Sequence, residues 1–178
     1  MPDNLKEATI AIEDKDFYSH SGFSIAGITR SVFDLIFHRR VEGGSTLTQQ
    51  LIKNALLSGE RTLVRKLKEF ILAIQVERVY SKDAILEMYL NEIPYGGTAY
   101  GIEAAANLYF GKSAKDLNLA EASLLAGLPQ RPSVYSPYGS KPELAKVRQE
   151  AVLRRMVEDG YISEDQAEAA KETILTYR

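Results

Sequence analysis

Glu13 is the first residue whose setting suggests chemistry. It follows an apolar run at 8–12 and opens the polar stretch Glu13-Asp14-Lys15-Asp16-Phe17-Tyr18-Ser19-His20-Ser21-Gly22. A carboxylate where a core helix meets a polar loop is partly taken out of water, which favours its protonated form and suits it to acid or base work. A solvated acidic pair closing a helix has the same sequence, so this segment alone leaves both roles open. A second group, Gly43-Gly44-Ser45-Thr46-Leu47-Thr48-Gln49-Gln50-Leu51-Ile52-Lys53-Asn54, joins two glycines to a helix start that Ser45 or Thr46 can cap. Unpaired N–H groups at such a start attract an anion. Gln49 and Lys53, one turn apart, add an amide and an ammonium suited to a sugar or phosphate. The Gly-Lys-Ser/Thr of a nucleotide phosphate loop is absent. An ordinary glycine-flanked helix start fits this stretch as well.

The third group is Arg61, Arg65, Lys68 and Glu69, which at 100° per residue fall on one helix face opposite the apolar stripe Leu63, Leu67, Phe70, Ile71 and Ile74. Three cations beside one carboxylate can neutralise a pyrophosphate while holding an acid nearby. A solvated face laced with internal ion pairs is the plainer alternative. Tyr95-Gly96 and Tyr100-Gly101 flank a tight loop, where the rings can stack on sugars or anchor the packing. Gln130 and Arg131, between Pro129 and Pro132, read first as a structural turn.

The elements that must position these groups are helical. Ile25, Ile28, Val32, Leu35 and Ile36 keep a 3.6-residue period, as does the stripe from Leu63 to Ile74. Further helices are expected over 82–90, 101–109 and 120–128, the last stopped by Pro129 and Pro132. Pro142 suits a first helical turn before Leu144, Val147, Ala151 and Leu153, Gly160 closes that helix, and Ser163-Glu164-Asp165-Gln166 is a capping-box start. Loops are expected at 19–23, 41–45 and 94–98, and no strand alternates convincingly. The fold class is therefore all-α.

Composition sets the outer limits. Apolar residues make up 45% and charged residues 26%, ordinary for a globular chain of 178 residues. The net charge of −2 provides no global field toward nucleic acid, so any basic site is local. Cysteine is absent and histidine is limited to His20 and His38, which removes thiol chemistry and makes a histidine metal cage unexpected. No apolar run approaches the roughly 20 residues that cross a bilayer.

Taken in this order, the segments resemble the peptidoglycan glycosyltransferases found in class A penicillin-binding proteins and in monofunctional glycosyltransferases. The likeness rests on Glu13-Asp14-x-x-Phe17-x-x-His20-x-Gly22, on Gly43-Gly44-Ser45-Thr46-Leu47-Thr48-Gln49-Gln50-Leu51-x-Lys53-Asn54, and on Arg65-Lys66-x-Lys68-Glu69 with Ala73 and Glu77. Ile85-Leu86-Glu87-x-Tyr89-Leu90-Asn91, Tyr95-Gly96, Tyr100-Gly101-Ile102 and Tyr109-Phe110-Gly111 extend it over about residues 5–160. The resemblance implies a lysozyme-like helical head over most of the chain. It also implies a smaller, membrane-facing jaw lobe at about 23–60, including Phe33, Ile36 and Phe37. That family normally carries an N-terminal membrane anchor, so this stretch is expected to be a trimmed domain.

By the same resemblance Glu13 is the base that deprotonates the acceptor's sugar hydroxyl, and Glu69 orients the donor or assists departure of the leaving group. Lys53, Arg61, Arg65 and Lys68 would bind the donor phosphates, while Asp14, Arg30, Thr46, Gln49, Gln50 and Asn54 would shape the substrate site. The implied partners are lipid II, the growing glycan chain, the outer face of the bacterial plasma membrane and a possible transpeptidase domain, with no nucleic acid. Mg²⁺ or Mn²⁺ is an optional cofactor, with no dedicated cage in the sequence. A lysozyme-like hydrolase and a non-catalytic lipid or glycan binder are the competing expectations. The cationic face at 61–69 weighs against the hydrolase, since cleaving a neutral glycosidic bond does not call for phosphate neutralisation.

Overall fold

The computed structural model describes residues 1–23, 44–56 and 62–178. The helix expected from Ile25 to Ile36, most of the expected jaw at 23–60, and the candidate residues Arg30 and Arg61 lie outside that description. The described chain is dominated by helices, in agreement with the all-α expectation. They group into two compact units: 1–15 together with 93–178, and 16–92.

In the first unit, α1 (Asp3–Glu13) packs against α6 (Leu119–Gly127) and α8 (Glu143–Glu158). The contacts are made by small side chains: Ala8, Ala11 and Ala126 lie buried with Val152 and Met156, and Ile12, Leu119, Tyr161 and Ile162 close over them. Alanines let the three helix axes approach closely. Every residue of α6 from Ala120 to Gly127 is buried, and Glu121 is accommodated because it closes a capping box with Asn118 and pairs with Lys112 at 2.8 Å. The final helix, α9 (Glu164–Glu172), adds Ala167 and Ala170 to Ala120 and Leu153, and its Ser163–Gln166 capping box forms as expected. Gly160 closes α8 with a φ of 77°. Val147, expected among the apolar positions of α8, is exposed; Ala145, Gln149, Val152, Leu153 and Met156 form the inner face instead.

A short antiparallel pair, β1 (Pro94–Gly96) with β2 (Ala99–Tyr100), stands where the sequence suggested only a loop. It leads into α5 (Ile102–Phe110), while α7 (Pro132–Tyr135) follows α6. Tyr95 and Tyr109 are packing anchors, because both are buried and the Tyr109 hydroxyl donates to the Tyr95 carbonyl at 2.9 Å. Gly96 has a φ of 102°, and a Cβ there would sit 2.8 Å from the Tyr109 hydroxyl. Tyr100 is exposed.

In the second unit, α2 (Leu47–Leu56) packs on α3 (Leu63–Val79) and α4 (Lys82–Glu92) through Leu47, Leu51, Ile52, Ala73, Ile85, Leu86 and Tyr89. Glu77 fastens this unit: it pairs with Lys82 at 2.7 Å and accepts from the Thr48 hydroxyl. The Lys82 ammonium also lies 4.4 Å above the Phe17 ring. Gly22 has a φ of 85°, and its missing side chain makes room for Glu77 Cγ and the Ala73 carbonyl.

The face of α3 that packs inward is not the apolar one. Leu67 and Ile71 are 63% and 55% exposed, whereas Glu69 is 2% exposed and Ala73 is fully buried. The usual amphipathic rule is overridden because Glu69 and Glu77 carry cations with them into the interface.

The packing of α8 can be tested by truncation. Leu153→Ala should lower the unfolding free energy by about 2–5 kcal/mol in urea titrations. Val147→Ala should change it by less than about 0.5 kcal/mol. Equal effects would contradict the assigned inner face.

Candidate active site

Glu13 is the last residue of α1, where the helix meets the polar loop, as the sequence suggested. Its side chain is mostly buried at 9% exposure, and its Oε1 lies 3.6 Å from Nη2 of Arg148 on α8. Burial, and then the negative charge of Glu13, push the Tyr95 phenol up, so it stays neutral. Asp14 caps the C-terminal end of α1 through its backbone N–H, which donates to the Ile10 carbonyl at 2.9 Å.

The remaining described candidates belong to the second unit. Thr46 caps α2: its hydroxyl accepts from the Gln49 N–H at 3.2 Å, and the Gln49 side-chain oxygen accepts from the Thr46 N–H at 3.3 Å. This reciprocal box satisfies two donors that would otherwise be free for an anion. The Thr46 hydroxyl also donates to the Gly22 carbonyl at 3.0 Å, tying the helix start to the loop after Phe17. Gln50 donates to the Ser45 carbonyl at 3.4 Å and accepts from the Tyr89 hydroxyl at 3.4 Å. Asn54 donates to the Gln50 carbonyl at 2.9 Å. Asn54 and Lys53 are both exposed.

On α3 the buried Glu69 is held from two sides. Arg65 Nε lies 3.2 Å from one oxygen and Lys66 Nζ lies 3.0 Å from the other. Lys66 also donates to the Ser45 hydroxyl at 2.9 Å, which links α3 to the loop before α2. Lys68 is exposed. Lys66 and Arg148 were not assigned roles from the sequence. Lys66 has a legible signal, its i,i+3 spacing to Glu69. Arg148 is too far along the chain from Glu13 for any local pattern to join them.

Among the described residues, no group of three or more His, Asp or Glu side chains converges as a metal site, and Glu69 already carries two protein cations. These described residues do not fit a resident divalent ion.

Residues 1–157 match the family described as transglycosylase. The chain belongs to the transglycosylase family. It is 45% identical to penicillin-binding protein 1A of Rickettsia bellii and 47% identical to that of Aquifex aeolicus, each over 100% of this chain. Penicillin-binding protein 1F of Bacillus subtilis is 46% identical over 96% of it. The chain spans only 23%, 24% and 24% of those relatives. The crystal structure of penicillin-binding protein 1A from Haemophilus influenzae superposes with a TM-score of 0.59 at 26% identity, over 99% of this chain and 17% of that one. The family-level likeness drawn from the motifs, and the lysozyme-like helical fold it implied, are thereby established.

The Thr46 cap generates a stability prediction. Thr46→Ala should cost about 1 kcal/mol in thermal unfolding, and Thr46→Ser, which keeps the oxygen, should cost less. Equal losses would deny the hydroxyl its capping role.

Proposed function

We propose that this transglycosylase domain polymerises lipid II into β-1,4-linked glycan at the outer face of the bacterial plasma membrane. The growing strand on undecaprenyl pyrophosphate is the donor and lipid II is the acceptor. Glu13 takes the proton from the acceptor's sugar 4-hydroxyl. That oxygen attacks the donor's anomeric carbon from the side opposite the pyrophosphate, the configuration inverts, and the C–O bond to the lipid pyrophosphate breaks. The electron pair leaves on the diphosphate, and the proton leaves Glu13 for water.

The observation that carries this proposal is the setting of Glu13 within the motif order of the family. It is a mostly buried carboxylate at a helix end, paired with the Arg148 cation. A base so placed contributes on the order of 10²–10⁴ in rate. Lys53 and Lys68 are exposed cations able to reach phosphate, and Arg61 and Arg65 complete the basic set. Charge developing on the departing diphosphate is what such cations stabilise. Glu69, clasped by Arg65 and Lys66, orients those cations as well as the donor. Arg30, Gln49, Gln50, Asn54 and Asp14 shape the donor and acceptor sites in this scheme. A transpeptidase domain in the same protein would consume the product.

Glu13→Gln should retain lipid II binding and lose at least about 10²-fold in polymerisation, followed by gel separation of labelled glycan. Polymerisation at the normal rate would remove Glu13 from the role of base.

Lys53→Ala and Lys68→Ala should each weaken a pyrophosphate-bearing ligand by about tenfold or more, measured by calorimetry, and leave an uncharged saccharide nearly unaffected. Equal loss for both ligands would count against phosphate recognition.

A further inference from the structure

Glu13 stands at an electrostatically adverse position. The C-terminal end of a helix carries partial negative charge, and α1 has no basic residue in its last turn. A carboxylate mostly removed from water there calls for a cation from another element. Arg148 of α8 supplies it, with Nη2 at 3.6 Å from Glu13 Oε1 and only 13% of its side chain exposed.

Arg148 is itself fixed along its whole length. Its Nε donates to the carbonyl of Gly127, the last residue of α6, at 3.2 Å. Its guanidinium carbon lies 5.5 Å from the centre of the Tyr135 ring, within reach of a cation–π contact. A Cβ on Gly127 would fall 2.7 Å from Arg148 Cγ, so glycine there opens the path of the arginine stem. Arg154 and Arg155, on the same helix, behave differently: each pairs locally with Glu158 and remains largely solvated. Arg148 alone of these three spends its charge across helices.

We propose that Arg148 is a positioning residue for Glu13: its guanidinium, fixed by Gly127 and Tyr135, holds the Glu13 carboxylate in the orientation from which it takes the acceptor's proton. This rests on Glu13 being the base. At 3.6 Å the pair is longer than a direct hydrogen bond. The arginine therefore orients the carboxylate by charge. The planar fork matters because one end meets Gly127 while the other faces Glu13, which a lysine ammonium cannot reproduce.

The test is steady-state lipid II polymerisation by Arg148→Met and Arg148→Lys, with rates divided by the folded fraction from circular dichroism. A misplaced base costs up to about 10²-fold. Arg148→Met should thus lower kcat by about 10- to 100-fold with KM unchanged, and Arg148→Lys should fall between it and the wild type. In a Glu13→Gln background, Arg148→Met should lower the residual rate no further, since groups acting as a unit are not additive. A purely structural arginine would change the folded fraction but leave kcat per folded molecule intact, and that result overturns the proposal. Should Arg148→Met not fold, Arg148→Lys decides: reduced kcat supports the role, wild-type kcat refutes it. Full activity of Glu13→Gln would sink the base itself. An inactive Glu13→Gln beside a fully active, folded Arg148→Met would sink only the positioning role.

Discussion

A carboxylate withdrawn from water must be compensated by charge, and this constraint organises both units of the chain. Glu13 meets Arg148, Glu69 meets Arg65 and Lys66, Glu77 meets Lys82, and Glu121 meets Lys112. Removing one partner of a buried pair commonly costs about 3–5 kcal/mol, because the other charge is left stranded. The pairs therefore fix which faces of α3 and α8 turn inward.

How much of this was legible in the sequence varied with the range of the interaction. The helices were legible because their signals are local: the Ser163–Gln166 box and Gly160 at the end of α8 appear in the structure, and α3 forms as a helix where its period predicted one. The end of α1 at Glu13 followed from the change from apolar to polar residues. The inward face of α3 was not legible. Hydropathy points to Leu67 and Ile71, while the partners that allow Glu69 and Glu77 to be buried are set by tertiary packing. The tyrosines on glycine loops divided in the same way: only the fold shows that Tyr95 and Tyr109 anchor each other and that Tyr100 faces solvent.

The candidate site was legible as a set of residues more than as an arrangement. Glu13, Thr46, Gln49, Lys53, Arg65 and Glu69 are nominated by motif order. Their local duties are more mixed than motif order alone suggests. Thr46 and Gln49 close a capping box, and Arg65 is bound to Glu69. The Thr46 hydroxyl also ties the start of α2 to the loop at Gly22. Arg148 enters only with the fold, and the spacing of Lys66 to Glu69 gains its meaning there; they are cations behind the two glutamates.

The central claim is that these cation-held carboxylates build glycan rather than cleave it. Its most direct test is to incubate the protein separately with lipid II and with finished, lipid-free glycan, and to resolve the products by size. The account predicts lengthening chains from lipid II, with stoichiometric release of the lipid pyrophosphate, and finished glycan left intact. Shortening of finished glycan without any chain growth from lipid II would contradict it.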